Sequence, residues 1–340
     1  MLASMPIAPK GDPPMWTWLR VAVATLCVCT SLTTATAQNP TPDAVRPGWA
    51  LALHGGAGTI PKDMDPKLVE AYRASLRHGL ELGRGILAKG GTSLDAVEAV
   101  VRFFEDDSLF NAGKGAVYTH EGTHELDAAI MNGATLACGS VAGVGTVRNP
   151  ISLARLVMEK SKHVFLIAAG AEAFARAQGV PAVDNHEFDT RRRWEQWQKA
   201  LHDDKFGTVG CVALDTQGHL AAATSTGGLT NKRWGRVGDA PVIGAGTYAN
   251  DRSCAVSCTG QGEQFIRNTV ARDVAALVEY RSLPLVDAAH AVIDGKLQPG
   301  DGGLVAVSKT GEIALVFNSE GMYRGAADAG GRFEIAIWGE

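Results

Sequence analysis

Apolar residues first gather in the run Trp49-Ala50-Leu51-Ala52-Leu53-His54, which predicts a short core strand leading into the tight turn Gly55-Gly56-Ala57-Gly58. The period then lengthens. From Asp65 to Lys89, Leu76, Leu80, Gly83 and Leu87 recur at three and four, the spacing of one helix face, with Gly90 as its stop. A second helix, with Ser93 as N-cap, buries Ala96, Val97, Val100, Val101 and Phe104. Strands follow at 115–119, 123–131 and 134–142, divided by His120-Glu121-Gly122 and by the hairpin signal Asn132-Gly133. Asn149-Pro150 opens a helix to Lys160, and a strand at 163–167 leads to a helix over 168–178.

After Pro181 the apolar rhythm is lost until Thr208, and Asp203-Asp204-Lys205 closes a polar linker. Beyond it, strands at 208–214 and 219–226 pair across Asp215-Thr216-Gln217-Gly218. Strands near 242–244 and at 253–259 precede a long helix over about 263–280 and another at 285–297. The strands 303–308 and 312–318 form a hairpin over Lys309-Thr310-Gly311. Each half supplies helices and a largely antiparallel sheet, so the economical architecture is a layered α+β sandwich with helices outside two sheets.

Composition narrows the function more than the fold. The chain has 340 residues, 46% hydrophobic and 20% charged, with net charge −4 and a pI near 6.2. That balance gives no electrostatic footprint for nucleic acid, and the short Arg191-Arg192-Arg193 reads as a solvated loop face. At the N-terminus Arg20, the apolar run 21–29 and Ala35-Thr36-Ala37 have the form of a signal peptide, with Met15 a second candidate start. The expectation is that residues 1–37 are removed, leaving an exported protein, periplasmic or secreted, with no membrane anchor. Cys138, Cys211, Cys254 and Cys258 remain. The last two lie roughly 13 Å apart if extended, too far to bond, and all four read as free buried thiols.

Three polar clusters lie where strands end or helices begin: Thr224-Ser225-Thr226-Gly227-Gly228, Gly235-Arg236-Val237-Gly238-Asp239 and Ser257-Cys258-Thr259-Gly260-Gln261-Gly262-Glu263. The last offers a threonine hydroxyl and glycine N–H groups to an oxyanion. Thr208 heads a strand and reads either as a good strand former or as a nucleophile freed by cutting Gly207-Thr208. His54 reads as a hydrogen-bonded structural residue. Neither a P-loop nor a dinucleotide fingerprint is present.

With Gly207-Thr208-Val209-Gly210, these clusters resemble the plant-type L-asparaginase/isoaspartyl peptidase family of N-terminal-nucleophile hydrolases. The resemblance runs from 49 to about 327 and includes His54 to Gly58, Leu109-Phe110-Asn111-Ala112-Gly113, Gly122 to Ala128 and Asn318 to Tyr323. It implies a four-layer αββα sandwich and self-cleavage into an α chain, 38–207, and a β chain, 208–340, that stay one folded unit. Thr208 would be the nucleophile and Thr226 its orienting partner. The Thr259 hydroxyl and Gly260 N–H would form the oxyanion hole. Arg236 would take the substrate's α-carboxylate and Asp239 its α-ammonium, with a backbone contact from Gly262.

Asn111 would shape the nucleophile's surroundings. The carbonyls of Phe104, Glu105, Asp107, Phe110, Ala112 and Lys114 would hold a structural Na⁺, and the chemistry needs no cofactor. The resemblance also implies a dimer of αβ units acting on L-asparagine or β-aspartyl peptides. A glycosylasparaginase is the nearest rival, but those enzymes usually carry Asp where this chain has Gly207. An uncleaved amino-acid-binding protein is the alternative outside enzymes. Trp234, bulky and beside Gly235 in the clamp loop, is a departure that bears on the substrate mouth.

Overall fold

Two glycines let the first helix sit directly on the first strand. In the computed structural model, which describes residues 48–199 and 207–339, α1 (Pro66–Leu87) is capped by Asp65, whose carboxylate accepts from Lys67 N at 2.9 Å. A Cβ at Gly79 would stand 2.8 Å from Phe104, and one at Gly83 would stand 2.6 Å from Leu51. Their absence brings α1 against α2 (Ser93–Asp106) and β1 (Ala50–Gly58). Thr92, not Ser93, caps α2 by accepting from Asp95 N. Ser93 N is drawn instead to the Asp215 carboxylate.

The other strands are β2 (Leu126–Asn132), β3 (Cys138–Val144), β4 (Phe165–Ile167), β5 (Val209–Leu214), β6 (Leu220–Thr226), β11 (Gly321–Asp328) and β12 (Phe333–Trp338). With β1 they form an eight-stranded sheet ordered β12-β11-β1-β5-β6-β2-β3-β4, antiparallel except for the β3–β4 pair. A second sheet is ordered β10-β9-β8-β7, from β7 (Thr247–Ala249), β8 (Cys254–Gly260), β9 (Gly302–Ser308) and β10 (Ile313–Phe317). The described residues make one compact unit.

Alternation along the strands sorts side chains into three apolar layers. Leu51, Leu53, Cys211 and Ala213 point to α1, α2 and α3 (Pro150–Lys160). Ala52, Val212, Ala222, Val305 and Val307 fill the space between the sheets. Val256, Leu304 and Ala306 meet α7 (Val270–Arg281) and α8 (Leu285–Lys296). The order is helix, sheet, sheet, helix, the expected four-layer αββα sandwich.

Several expected elements differ. Gly55 to Gly58 continue β1 through a bulge between His54 and Gly56 rather than turning. Residues 115–119 are not a strand: Gly113 and Gly115 fold the chain tightly onto the end of α2, where a Cβ on either would overlap the Glu105 or Phe110 carbonyl. The helix expected over 263–280 is two, α6 (Gly262–Asn268) and α7, broken at Thr269 with φ 46°. β7 replaces a strand at 242–244.

Up to residue 199, the linker expected from 181 holds regular structure; 200–206 lie outside the described residues. A 3-10 turn at Asn185–Phe188 and α5 (Arg191–Lys199) follow α4 (Ala168–Ala177), and Trp197 stacks on Tyr118 at 5.5 Å. The arginine triplet is only in part a solvated face: Arg191 is exposed, but Arg193 is buried, its Nε donating to Gly115 O at 2.6 Å. Cys211, Cys254 and Cys258 are buried free thiols and Cys138 is half-buried. The signal-peptide reading lies outside the described residues. No helix among the described residues is long and apolar enough to cross a membrane.

Candidate active site

Adjacent central strands bring the threonines together. β5 pairs with β6 so that Val209 opposes Ser225, which sets Thr208, just before β5, beside Thr226, the last residue of β6. The Thr208 hydroxyl donates to Thr226 Oγ1 at 3.2 Å. Thr226 donates in turn to Gly207 O at 2.9 Å and accepts from Gly228 N at 2.9 Å. Asn111 Nδ2 is the second donor to Gly207 O, at 2.8 Å, and also reaches Gly228 O at 2.7 Å. Its Oδ1 accepts from Val117 N, which fixes the amide's orientation. The carbonyl before Thr208 is thus polarised by two donors while the threonine hydroxyl hangs on the one beside it.

Gly56 of β1 lies against this junction. A Cβ at Gly56 would stand 3.4 Å from Gly207 Cα and 3.5 Å from Thr208 N, and Gly56 has φ 117°. His54, fully buried, holds Thr208 from the other side: Nδ1 lies 3.1 Å from Thr208 O and Nε2 lies 2.8 Å from Ser257 Oγ. Since the carbonyl can only accept, Nδ1 carries the proton and Nε2 accepts from Ser257. Burial holds the imidazole down at about 3, so it is neutral. Ser257 and Thr224, 2.7 Å apart, continue this network behind the nucleophile. His54 is hydrogen-bonded as expected. Ser257, which donates to its Nε2, is marked in the sequence only as part of a polar cluster.

Gly207, Thr208, Thr226, Gly228, Leu229, Arg236, Gly238, Asp239 and Gly260 line one cleft. Thr259 is not among these residues; it is fully buried, and its Oγ1 accepts from Ala57 N at 3.1 Å, leaving its proton available. Gly260 has φ 150°, and a Cβ there would overlap the Asp301 carbonyl, so the position demands glycine. Gly262 opens α6 between Arg236 and Asp239, 2.8 Å and 3.0 Å from where its Cβ would be.

Charge in the cleft is divided between these two side chains. Arg236 is fixed by a two-pronged ion pair to Glu263, Nε to Oε1 and Nη2 to Oε2, each 2.9 Å. This pair holds the Glu263 carboxyl below its ordinary range. Arg236 and Asp239 therefore do not pair with each other; the arginine has its own counter-ion, which leaves Nη1 beside Gly228 and Gly238. Asp239 is buried with Oδ2 unpartnered. Burial pushes its carboxyl up to about 7, against the pull of Arg236. An unpartnered buried carboxylate oxygen in a cleft is costly unless something cationic arrives.

Lys232 was not singled out from the sequence. It is buried, donates to Glu125 O at 2.8 Å, and lies 3.1 Å from where a Gly228 Cβ would be. After α2, Gly113 and Gly115 bring the Glu105 and Phe110 carbonyls close to the returning chain, and backbone oxygens are the kind of donor a hard cation takes. Among the described residues no group of His, Cys, Asp and Glu side chains could hold a metal.

A threonine poised against its own preceding carbonyl, at the head of a central strand of an αββα sandwich, belongs to the N-terminal-nucleophile class of hydrolases. Within that class the chain is a member of the asparaginase family, whose model matches residues 47–337. It is 49% identical over 308 residues to the isoaspartyl peptidase of Salmonella typhimurium, an alignment that covers 85% of this chain and 98% of that protein. The probable isoaspartyl peptidase/L-asparaginase 2 of Arabidopsis thaliana is 45% identical over 324 residues, 86% of this chain and 99% of its own. The isoaspartyl peptidase/L-asparaginase of Homo sapiens is 42% identical over 288 residues, 81% and 92% respectively.

Proposed function

We propose that the protein is an isoaspartyl peptidase/L-asparaginase that cuts itself at Gly207-Thr208. The observation that carries this is the hydroxyl relay from Thr208 through Thr226 to Gly207 O. Thr208 Oγ1 attacks the Gly207 carbonyl carbon, and Asn111 and Thr226 stabilise the oxygen as it gains charge. The Thr208 amide nitrogen leaves as an amine, taking the proton that the Thr208 hydroxyl gives up, and Gly207 is left as an ester on Thr208 Oγ1. Water then hydrolyses the ester and releases Gly207 as a carboxylate.

The freed α-amine, with a reference pKa near 8, is the base that a weak threonine nucleophile lacks. In the second reaction Arg236 takes the α-carboxylate of the substrate and Asp239 its α-ammonium, satisfying Oδ2. Thr208 Oγ1 attacks the side-chain carbonyl, whose oxygen is received by the Thr259 hydroxyl and Gly260 N–H. Ammonia or a peptide amine departs with the proton, and water hydrolyses the β-aspartyl ester to aspartate.

N-terminal sequencing of wild type and Thr208→Ala after a denaturing gel tests the first reaction. Two chains, one beginning at Thr208, are expected for wild type and one intact chain for the variant. An uncut wild type that hydrolyses L-asparagine would overturn it. The Na⁺ assignment to the carbonyls of Phe104, Glu105, Asp107, Phe110, Ala112 and Lys114 predicts a lower Tm when Na⁺ is replaced by a bulky organic cation. The same reading extends to a dimer of αβ units, checked by solution mass, and to export after removal of residues 1–37, checked by the mature N-terminus.

A further inference from the structure

Between β6 and β7 the chain makes a turn that its sequence does not favour. Arg236 N donates to Arg233 O at 3.0 Å, and the two residues between, Trp234 and Gly235, have φ of 57° and 67°. Two left-handed central residues are the signature of a type I′ turn, where Asn, Asp or Gly normally takes the first place. Trp234 takes it here, with the steric penalty that a Cβ meets in left-handed backbone. Packing does not offset that penalty. The indole is 93% exposed, the most exposed large apolar side chain among the described residues.

Arg233 is also exposed, and its guanidinium makes no hydrogen bond or ion pair among the described residues. A free cation and a free aromatic ring thus share one turn tip, and the turn closes on Arg236, which lines the cleft with Thr208. A strained, solvent-facing aromatic beside a binding residue points to a ligand rather than to the fold.

We infer that Arg233 and Trp234 form the subsite for the leaving amino acid of a β-aspartyl dipeptide. This rests on the reading of the cleft as a β-aspartyl hydrolase site. The aspartyl half spends its own two charges on Arg236 and Asp239. What remains for recognition lies beyond the scissile bond: the side chain of the second residue and its free carboxylate. The indole takes an apolar or aromatic side chain, and Arg233 takes the carboxylate. L-Asparagine releases only ammonia, which is too small to reach the turn tip, so it is an internal control.

The test compares L-asparagine, β-aspartyl-glycine, β-aspartyl-phenylalanine and the C-terminal amide of the last as substrates of wild type, Trp234→Asn and Arg233→Gln. Asn suits the left-handed position, so the turn survives. Wild type is expected to prefer the phenylalanine dipeptide to the glycine one. Trp234→Asn raises KM for the phenylalanine dipeptide about tenfold with kcat little changed, and leaves L-asparagine within about twofold. Arg233→Gln raises KM for both free dipeptides but not for the amide. Equal losses on L-asparagine and the dipeptides, no preference in wild type, or a changed solution mass in Trp234→Asn would overturn the subsite alone. A wild type inactive on L-asparagine and on both dipeptides would overturn the reading of the cleft and the subsite with it.

Discussion

Asn111 Nδ2 stands 2.8 Å from the Gly207 carbonyl oxygen, across 96 residues of sequence. Its other proton is spent on Gly228 O and its Oδ1 on Val117 N, so the amide cannot turn away. Removing one such donor from a developing oxyanion costs about 10²–10³ in rate. Asn111→Ala is therefore expected to slow conversion of the single chain to two chains by about that factor, read from a gel time course. The folded state should persist, since the loop keeps its bond from Gly227 N to Asn111 O. Cleavage at the wild-type rate would remove Asn111 from the first reaction.

Arg236 presents its fork twice over: Nε and Nη2 grip Glu263, which leaves Nη1 toward the glycine-lined cleft. Lysine has one charged nitrogen and cannot hold both partners in a plane. Arg236→Lys is expected to raise KM for L-asparagine about tenfold or more while kcat changes by much less. Steady-state kinetics on the processed enzyme separate the two. A fall in kcat at constant KM would place Arg236 in the chemical step instead.

The sequence pattern carried the central strands because Thr208 to Leu214 and Leu220 to Thr226 are small, β-branched or leucine and wholly buried, with a glycine turn between. It carried the threonine, arginine and aspartate positions because each lies in a short polar cluster at the end of an element. What it missed has physical causes. α5 buries an arginine and stacks a tryptophan rather than showing an aliphatic face, so it reads as linker. β11 interrupts its apolar residues with Gly321, Arg324, Gly325 and Asp328, too polar for the apolar rule. Glu263 and Ser257 act through partners about 27 and 203 positions away. No local period encodes such pairs.

On the proposed reading, Asp239 ties substrate binding to pH. Its carboxyl, pushed up to about 7 by burial, is neutral at lower pH and cannot pair with an α-ammonium. KM for L-asparagine is expected to fall as pH rises toward 7 and then to level off. Stability moves the opposite way. A folded pKa above the ordinary value means that the folded state holds the extra proton, so stability is fully present below about 4 and is lost as pH rises through about 7. Asp239→Asn should flatten the Tm difference between acid and neutral pH while weakening substrate binding. A wild-type Tm rising across that window, with the slope unchanged in the variant, would refute the assignment.

Gly210 is small because of what lies behind Thr208. A Cβ there would overlap both Ser257 Oγ and His54 Nε2, the two atoms whose 2.8 Å hydrogen bond keeps His54 aimed at Thr208 O. Gly210→Ala must separate that pair or shift β5 against β8, leaving a buried imidazole nitrogen unpaired or the strand strained. The expected cost is about 2–4 kcal/mol, read from denaturant unfolding. Self-cleavage should slow as well, because Thr208 loses the donor that fixes its carbonyl. Adding Ser257→Ala removes one of the two overlapped atoms and should recover part of the stability. It should not restore the cleavage rate, since the overlap with His54 Nε2 remains. Acid adds a second arm: burial holds His54 at about 3, below its ordinary 6.5, so its contribution is complete above 6.5 and is lost as pH falls toward 3. His54→Gln should lose that acid sensitivity, and an unchanged dependence of Tm on pH between 6.5 and 4 would show that the imidazole is not what titrates.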